Sequence, residues 1–131
     1  MMIFGGICFI TDRRLYNGSI EDMVKKILDA GIKWIQYREK ELSRKDIYYQ
    51  AEKLRKITKD YDAIFIVNDH VDIALSVDAD GVHLGQEDLP LIEARKIMKK
   101  KIIGISTHNL KQAKDADKKR ADYIGFGPIF Q

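Results

Sequence analysis

A single cysteine, Cys8, serves the whole 131-residue chain. One thiol excludes an intrachain disulfide framework and suits a reducing cytosol, the compartment this sequence is expected to occupy. Cys8 lies inside an apolar run and reads as a packed strand residue. No apolar run is long enough to span a bilayer, so no membrane partner is expected. The first residues, Met1 to Ile7, lack the basic start and long apolar middle of a secretory signal. A large excess of either charge is also missing. The net charge of +3 is spread along the chain and makes no case for nucleic acid. No histidine pair has a zinc-ligand spacing backed by nearby cysteines. The chain shows no linker, no low-complexity tract and no strong internal repeat.

What is present is a regular alternation. Short β-branched runs end in polar residues, and segments with one apolar helical face lie between them. The expected strands are Ile7–Thr11, Lys33–Arg38, Ile64–Asn68, Gly81–Leu84, Ile102–Ser106 and Tyr123–Gly127. Ser19 and Ser43 are expected to cap the first two helices, with Asp22 and Asp46 three residues on. Short helices are expected at Val71–Ser76 and Leu91–Met98, the latter with Pro90 in its first turn. Thr107 or Asn109 should cap the last. Six strands and five helices in strict alternation predict a parallel α/β sheet with right-handed crossovers in one domain over residues 1–131. The first strand–helix loop lacks the Gly-x-Gly-x-x-Gly fingerprint of a dinucleotide fold. Polar residues end nearly every strand, which suits a (β/α) barrel mouth better than a single crevice.

Those strand ends gather a reactive set. Gln36, Arg38 and Lys40 share one side of the second strand by period-two alternation, while Ile35 and Tyr37 point into a helix layer. Asn68 and Asp69 end the third strand, Gln86, Glu87 and Asp88 follow the fourth, and Ser106, Thr107 and His108 end the fifth. One reading is a set of structural ion pairs tying strand ends together. The sharper one is a Mg²⁺–diphosphate site. Asp69 and Asp88 would hold the cation, which takes one or two carboxylates and otherwise substrate oxygens and water. Arg38 and Lys40 would take the remaining phosphate charge. Of the histidines, His83 lies within a strand and reads as a hydrogen-bonded core residue, while His108, at the mouth, is the candidate for proton transfer.

The stretches Gln36-Tyr37-Arg38-Glu39-Lys40, Val67-Asn68-Asp69, Gly81-Val82-His83-Leu84-Gly85-Gln86-Glu87-Asp88, Gly104-Ile105-Ser106-Thr107-His108 and Gly125-Phe126-Gly127-Pro128-Ile129-Phe130 together resemble the thiamine-phosphate synthase family. The resemblance implies a (β/α)8 TIM barrel, of which about six of eight strand–helix units are present. It implies a transferase of thiamine biosynthesis that joins a hydroxymethylpyrimidine diphosphate to a thiazole phosphate, releasing diphosphate. Gln36, Tyr37, Arg38, Glu39, Lys40 and Asn68 would hold the pyrimidine diphosphate, and Ser106 would contact it. Arg38, Lys40 and Ser106 are the expected catalytic contacts, with Asp69 and Asp88 on Mg²⁺.

Two departures accompany it. The family continues past Gly-Pro-Ile-Phe with Thr-x-Thr-Lys, where this chain stops at Gln131, and the loops for the thiazole phosphate are missing. The expectation is that the natural reading frame continues with that segment and two more units, and that 131 residues alone lack turnover. The thiazole tautomerase, a near relative that would need His108, is the alternative, as is a non-catalytic partial barrel. A second copy of the chain, forming a homo-oligomer, is a further candidate partner, and the edge strands are expected to stand open.

Overall fold

The computed structural model describes residues 6–128. Its order is β1 (Cys8–Ile10), α1 (Ile20–Asp29), β2 (Trp34–Tyr37), α2 (Arg44–Asp60), β3 (Ile64–Asn68), α3 (Val71–Ser76), β4 (Gly81–Leu84), α4 (Leu91–Met98), β5 (Ile102–Thr107), α5 (Leu110–Lys118) and β6 (Tyr123–Phe126). A 3-10 turn at Arg13–Leu15 follows β1. The hydroxyls of Ser19 and Ser43 accept from the Asp22 and Asp46 N–H groups at 3.1 Å, as the capping pattern predicts. Asn109, not Thr107, caps α5, accepting from the Gln112 N–H at 2.8 Å. Pro90 is the residue before α4 and its carbonyl closes the first turn onto Ala94. Ile129 and Phe130 of the last family-like stretch, and Gln131 after it, lie outside the described residues.

All six strands are parallel and pair in chain order. The sheet is strongly curled. A flat sheet would hold β2 and β6 roughly 19 Å apart, at about 4.8 Å per strand. Yet the Trp34 and Tyr123 rings meet edge to face at 5.1 Å. The strands therefore wrap an interior, as in an α/β barrel. Strand register puts Gln36, Asn68, His83, Ser106 and Tyr123 on that inner face. The outer face carries Ile35, Tyr37, Phe65, Val67, Val82, Leu84 and Ile103, all at most 1% exposed and packed against the helices. Each large side chain so buried is worth about 1.5–3 kcal/mol.

The open edges are seen. Among the described residues β1 and β6 each pair with one neighbour. Ile7 and Ile10 are 72% and 52% exposed, and Ile124 and Phe126 41% and 50%.

One glycine is set by the curl. A Cβ on Gly104 would stand 2.1 Å from the Tyr123 ring, which lies across the β5 backbone. Gly104→Ala is therefore expected to destabilise the chain by about 1–3 kcal/mol, the usual overpacking cost. Urea unfolding measures it, and an unchanged midpoint would mean the ring can move aside freely.

The structure adds a local similarity between two strand starts that is too short to make a strong internal repeat. Asp80, just before β4, takes the Arg55 guanidinium of α2 at 2.9 Å and the Phe65 N–H of β3 at 2.7 Å. Asp122, just before β6, does the same with Arg95 of α4 and the Ile103 N–H of β5, both at 2.8 Å. The sequence carries the signal. Ala79-Asp80-Gly81-Val82-His83-Leu84-Gly85 returns as Ala121-Asp122-Tyr123-Ile124-Gly125-Phe126-Gly127. The alanine, the aspartate, the outward apolar positions and the final glycine repeat, while the inner positions differ because they fill a different space each time.

Candidate active site

Parallel strands all end on one side, so the polar residues closing β1 to β5 meet there. Thr11, buried after β1, accepts from the Arg38 N–H at 3.0 Å and so fixes the backbone where β2 stops. From that point Arg38 and Lys40 run outward with Glu39 between them. Glu39 turns back. Its carboxylate takes Arg13 at 2.8 Å and the Glu41 N–H at 3.0 Å, and its side chain is only 6% exposed. Arg38 lines a cleft with Lys40, Asp12 and Arg14. The Arg14 guanidinium holds the Asp12 carboxyl at about 2, well below the usual carboxylate range.

Asp69 occupies an uncommon backbone position. Its φ is +70°, and the His70 N–H reaches back to the Asn68 carbonyl at 2.9 Å, a tight three-residue turn. Aspartate tolerates that left-handed region better than most residues. The turn lifts the Asp69 carboxylate off the strand line toward Lys40, whose ammonium it contacts, and toward Asp88. Asp88 folds back in its own loop to accept the Gly85 N–H at 2.7 Å. A side chain on Gly85 would crowd that carboxylate, its Cβ standing 3.3 Å from Oδ2.

The two carboxyls shift in opposite directions. Burial raises Asp88, only partly offset by the Gly85 N–H, and the facing Asp69 raises it further. Burial also pushes Asp69 upward, but the Lys40 ammonium and a hydrogen bond shared with Asp88 outweigh it and leave Asp69 low. Like charges this close favour one shared proton unless a cation separates them.

Behind this pair lies an amide layer. The Asn68 Nδ2–H donates to Gln36 Oε1 at 3.2 Å, while Asn68 Oδ1 is buried with no hydrogen-bond partner. A buried acceptor left open costs about 1–3 kcal/mol, which a ligand donor would recover. Ser106 joins from β5, its hydroxyl 2.7 Å from His83 Nε2 and its carbonyl accepting from Gln86 at 2.8 Å.

The structure thus brings together Gln36, Arg38, Lys40, Asn68, Asp69, Asp88 and Ser106. It does not bring the Tyr37 side chain there. Tyr37 is on the outer face, its hydroxyl donating to Gln50 of α2 at 2.6 Å, as its place in the alternation predicts. Glu39 is drawn off by Arg13. His108 is exposed and its Nδ1 lies 2.6 Å from the Gly127 carbonyl, so it braces the end of β6. His70 precedes α3 and lies 2.8 Å from Arg44. Thr11, Arg13 and the His83–Ser106 contact were not read from the sequence. The polar pair Thr11-Asp12 closing β1 was the available signal.

The family model for thiamine monophosphate synthase matches residues 7–131. The chain belongs to that family. It is 50% identical over 114 residues to the thiamine-phosphate synthase of Halalkalibacterium halodurans, covering 86% of this chain and 54% of that protein. With the thiamine-phosphate synthase of Archaeoglobus fulgidus it shares 48% over 124 residues, 95% of this chain and 58% of the relative. A solved thiamine phosphate pyrophosphorylase from Pyrococcus furiosus superposes with a TM-score of 0.88 at 45% identity, over 94% of this chain and 60% of that one. The chain of this family member therefore spans a little over half the length of the curated relatives it matches. Its curled α/β sheet is the fold that the likeness carries. Among the described residues no helix is long and apolar enough to cross a membrane.

Proposed function

We propose that this chain carries the pyrimidine diphosphate site of a thiamine-phosphate synthase, a cytosolic Mg²⁺-dependent transferase. The reading is that hydroxymethylpyrimidine diphosphate loses diphosphate and the thiazole phosphate nitrogen takes its methylene carbon. The observation that carries it is the meeting of Lys40, Asp69 and Asp88 in front of the open Asn68 acceptor.

Among the described residues no three acidic, histidine or cysteine side chains form a metal cage. Two facing carboxylates suit Mg²⁺ all the same, since it keeps most of its positions for water and phosphate oxygens. Asp69 and Asp88 would hold it, and when bound it would neutralise charge on the departing diphosphate. The residues of the chain do the rest. Arg38 offers a planar fork to two phosphate oxygens. Lys40 adds a point charge beside Asp69. Asn68 Oδ1 accepts from an amino group on the ring, and Gln36 holds the Asn68 amide in that orientation. The diphosphate then leaves into a cationic cleft while the ring stays fixed, and the methylene cation stands open to the thiazole.

Calorimetric titration with the pyrimidine diphosphate, with and without Mg²⁺, tests this. Tight binding that needs the metal is expected. Absent binding, or binding indifferent to Mg²⁺, would sink the reading. Addition of thiazole phosphate then asks whether thiamine phosphate forms. Arg38→Lys is expected to weaken binding about tenfold, because the fork becomes a point. Its exposed head predicts an unchanged melting temperature. A large fall in melting temperature with intact binding would make Arg38 structural instead.

A further inference from the structure

One buried group stands behind the site without a part in it. His83 lies on the inner face of β4 and is 7% exposed. Its Nδ1 is 2.9 Å from the Tyr123 hydroxyl of β6, and its Nε2 is 2.7 Å from the Ser106 hydroxyl of β5. The ring is held on two sides. It tilts against the Tyr123 ring at 5.5 Å between centroids, and a Cβ on Gly125 would stand 3.6 Å from its Cε1. Both nitrogens are committed, so the imidazole joins three neighbouring strands in one chain of hydrogen bonds.

A neutral imidazole carries one N–H and one bare nitrogen. Its two contacts therefore cannot have the same sense. If Nδ1 donates to Tyr123, Ser106 must donate to Nε2 and can offer a ligand only lone pairs. If Tyr123 donates to Nδ1, then Nε2–H donates to Ser106, and the serine proton is left for a ligand. The second arrangement is favoured. A phenol is a stronger acid and a poorer acceptor than an aliphatic hydroxyl, so Tyr123 is the better donor and Ser106 the better acceptor. The ring is buried with a neutral hydroxyl at each nitrogen, an environment that suits the uncharged imidazole, and burial raises the Tyr123 phenol well above its usual range.

We propose that Tyr123 and His83 form a positioning relay that turns the Ser106 hydroxyl into a hydrogen-bond donor aimed at an anionic oxygen of the bound diphosphate. The proposal rests on the reading of Ser106 as a substrate contact. Neither His83 nor Tyr123 touches the ligand. Their effect is to settle which way one proton points before the ligand arrives, so that Ser106 does not reorient on binding.

Two measurements test the relay. Long-range proton–nitrogen NMR reads the tautomer directly in the ligand-free chain. The Nε2–H form of His83 is expected, and the Nδ1–H form would overturn the relay whatever binding shows. The second is a double-mutant cycle on Mg²⁺ plus inorganic diphosphate, using Tyr123→Phe, Ser106→Ala and both together. Tyr123→Phe keeps the ring and removes the donor. It is expected to weaken binding about three- to tenfold, the weight of one hydrogen bond, and to add nothing once Ser106 is alanine. An equal loss in the Ser106→Ala background would make the effect one of packing and overturn the relay. If Ser106→Ala alone binds like the unmodified chain, Ser106 is no substrate contact. That failure belongs to the underlying reading and shows without any change at Tyr123.

Discussion

Asp88→Asn is expected to lower Mg²⁺-dependent diphosphate binding roughly 10- to 100-fold, the weight of a hydrogen bond or ligand bond to a charged group. The fold should not suffer. Asp88 is raised by burial and by the facing Asp69, so ionising it in the folded chain is unfavourable. A carboxyl with a raised folded value opposes folding at pH above that value, and the opposition fades as pH falls through it. An amide at this position removes the penalty and still accepts the Gly85 N–H. The melting temperature at neutral pH should stay level or rise while binding collapses. Asp69→Asn should lose binding similarly but also lose stability at neutral pH, because Asp69 is held low in the folded chain and its charge pairs with the Lys40 ammonium. Calorimetry with and without Mg²⁺, alongside thermal unfolding, separates the two quantities. Unchanged binding in both variants would remove the metal from the site.

Asp80→Ala should have the largest effect on stability. It strips an 88% buried Arg55 side chain, 12% exposed, of its carboxylate and leaves the Phe65 N–H without an acceptor. Breaking such a pair from one side costs about 3–5 kcal/mol. Asp122→Ala is the internal control. There Asp122 is 42% and Arg95 31% exposed, and Arg95 also donates to the Lys99 and Lys101 carbonyls. Water and those carbonyls can take over, so about 1 kcal/mol is expected. Denaturant unfolding of both variants gives the comparison. Equal losses would mean that burial does not set the difference between the two clamps.

The architecture was legible because hydrophobic period and capping agree along the chain. Val71–Ser76 and Leu91–Met98 are helices with the expected limits, and the strand ends fall within a residue or two. The same alternation that put Gln36 inward put Tyr37 outward, and the structure keeps Tyr37 there despite its place in the family-like stretch. Harder to read were contacts between residues far apart in sequence. Nothing local tells that Glu39 will be claimed by Arg13, or that His83 will bridge Tyr123 and Ser106. The first follows from β1 lying directly beside β2, and the second from the curl, which turns the inner faces of β4, β5 and β6 toward one interior. The Asp80 and Asp122 clamps were written in the sequence, but as a short pattern with its inner positions changed.

The contact that reveals the curl also makes it observable. Trp34 is the one tryptophan in the chain, and the Tyr123 ring stands edge-on to it. The indole therefore stands where β2 and β6 approach each other across the interior, four strands apart along the sheet. Its emission is sensitive to the separation of β2 and β6 as well as to the local order of β2. Relaxation of the roll would carry the two rings apart and let water reach the indole while every neighbouring strand pair stayed intact. The chain thus holds an optical gauge of its own roundness, with no label added.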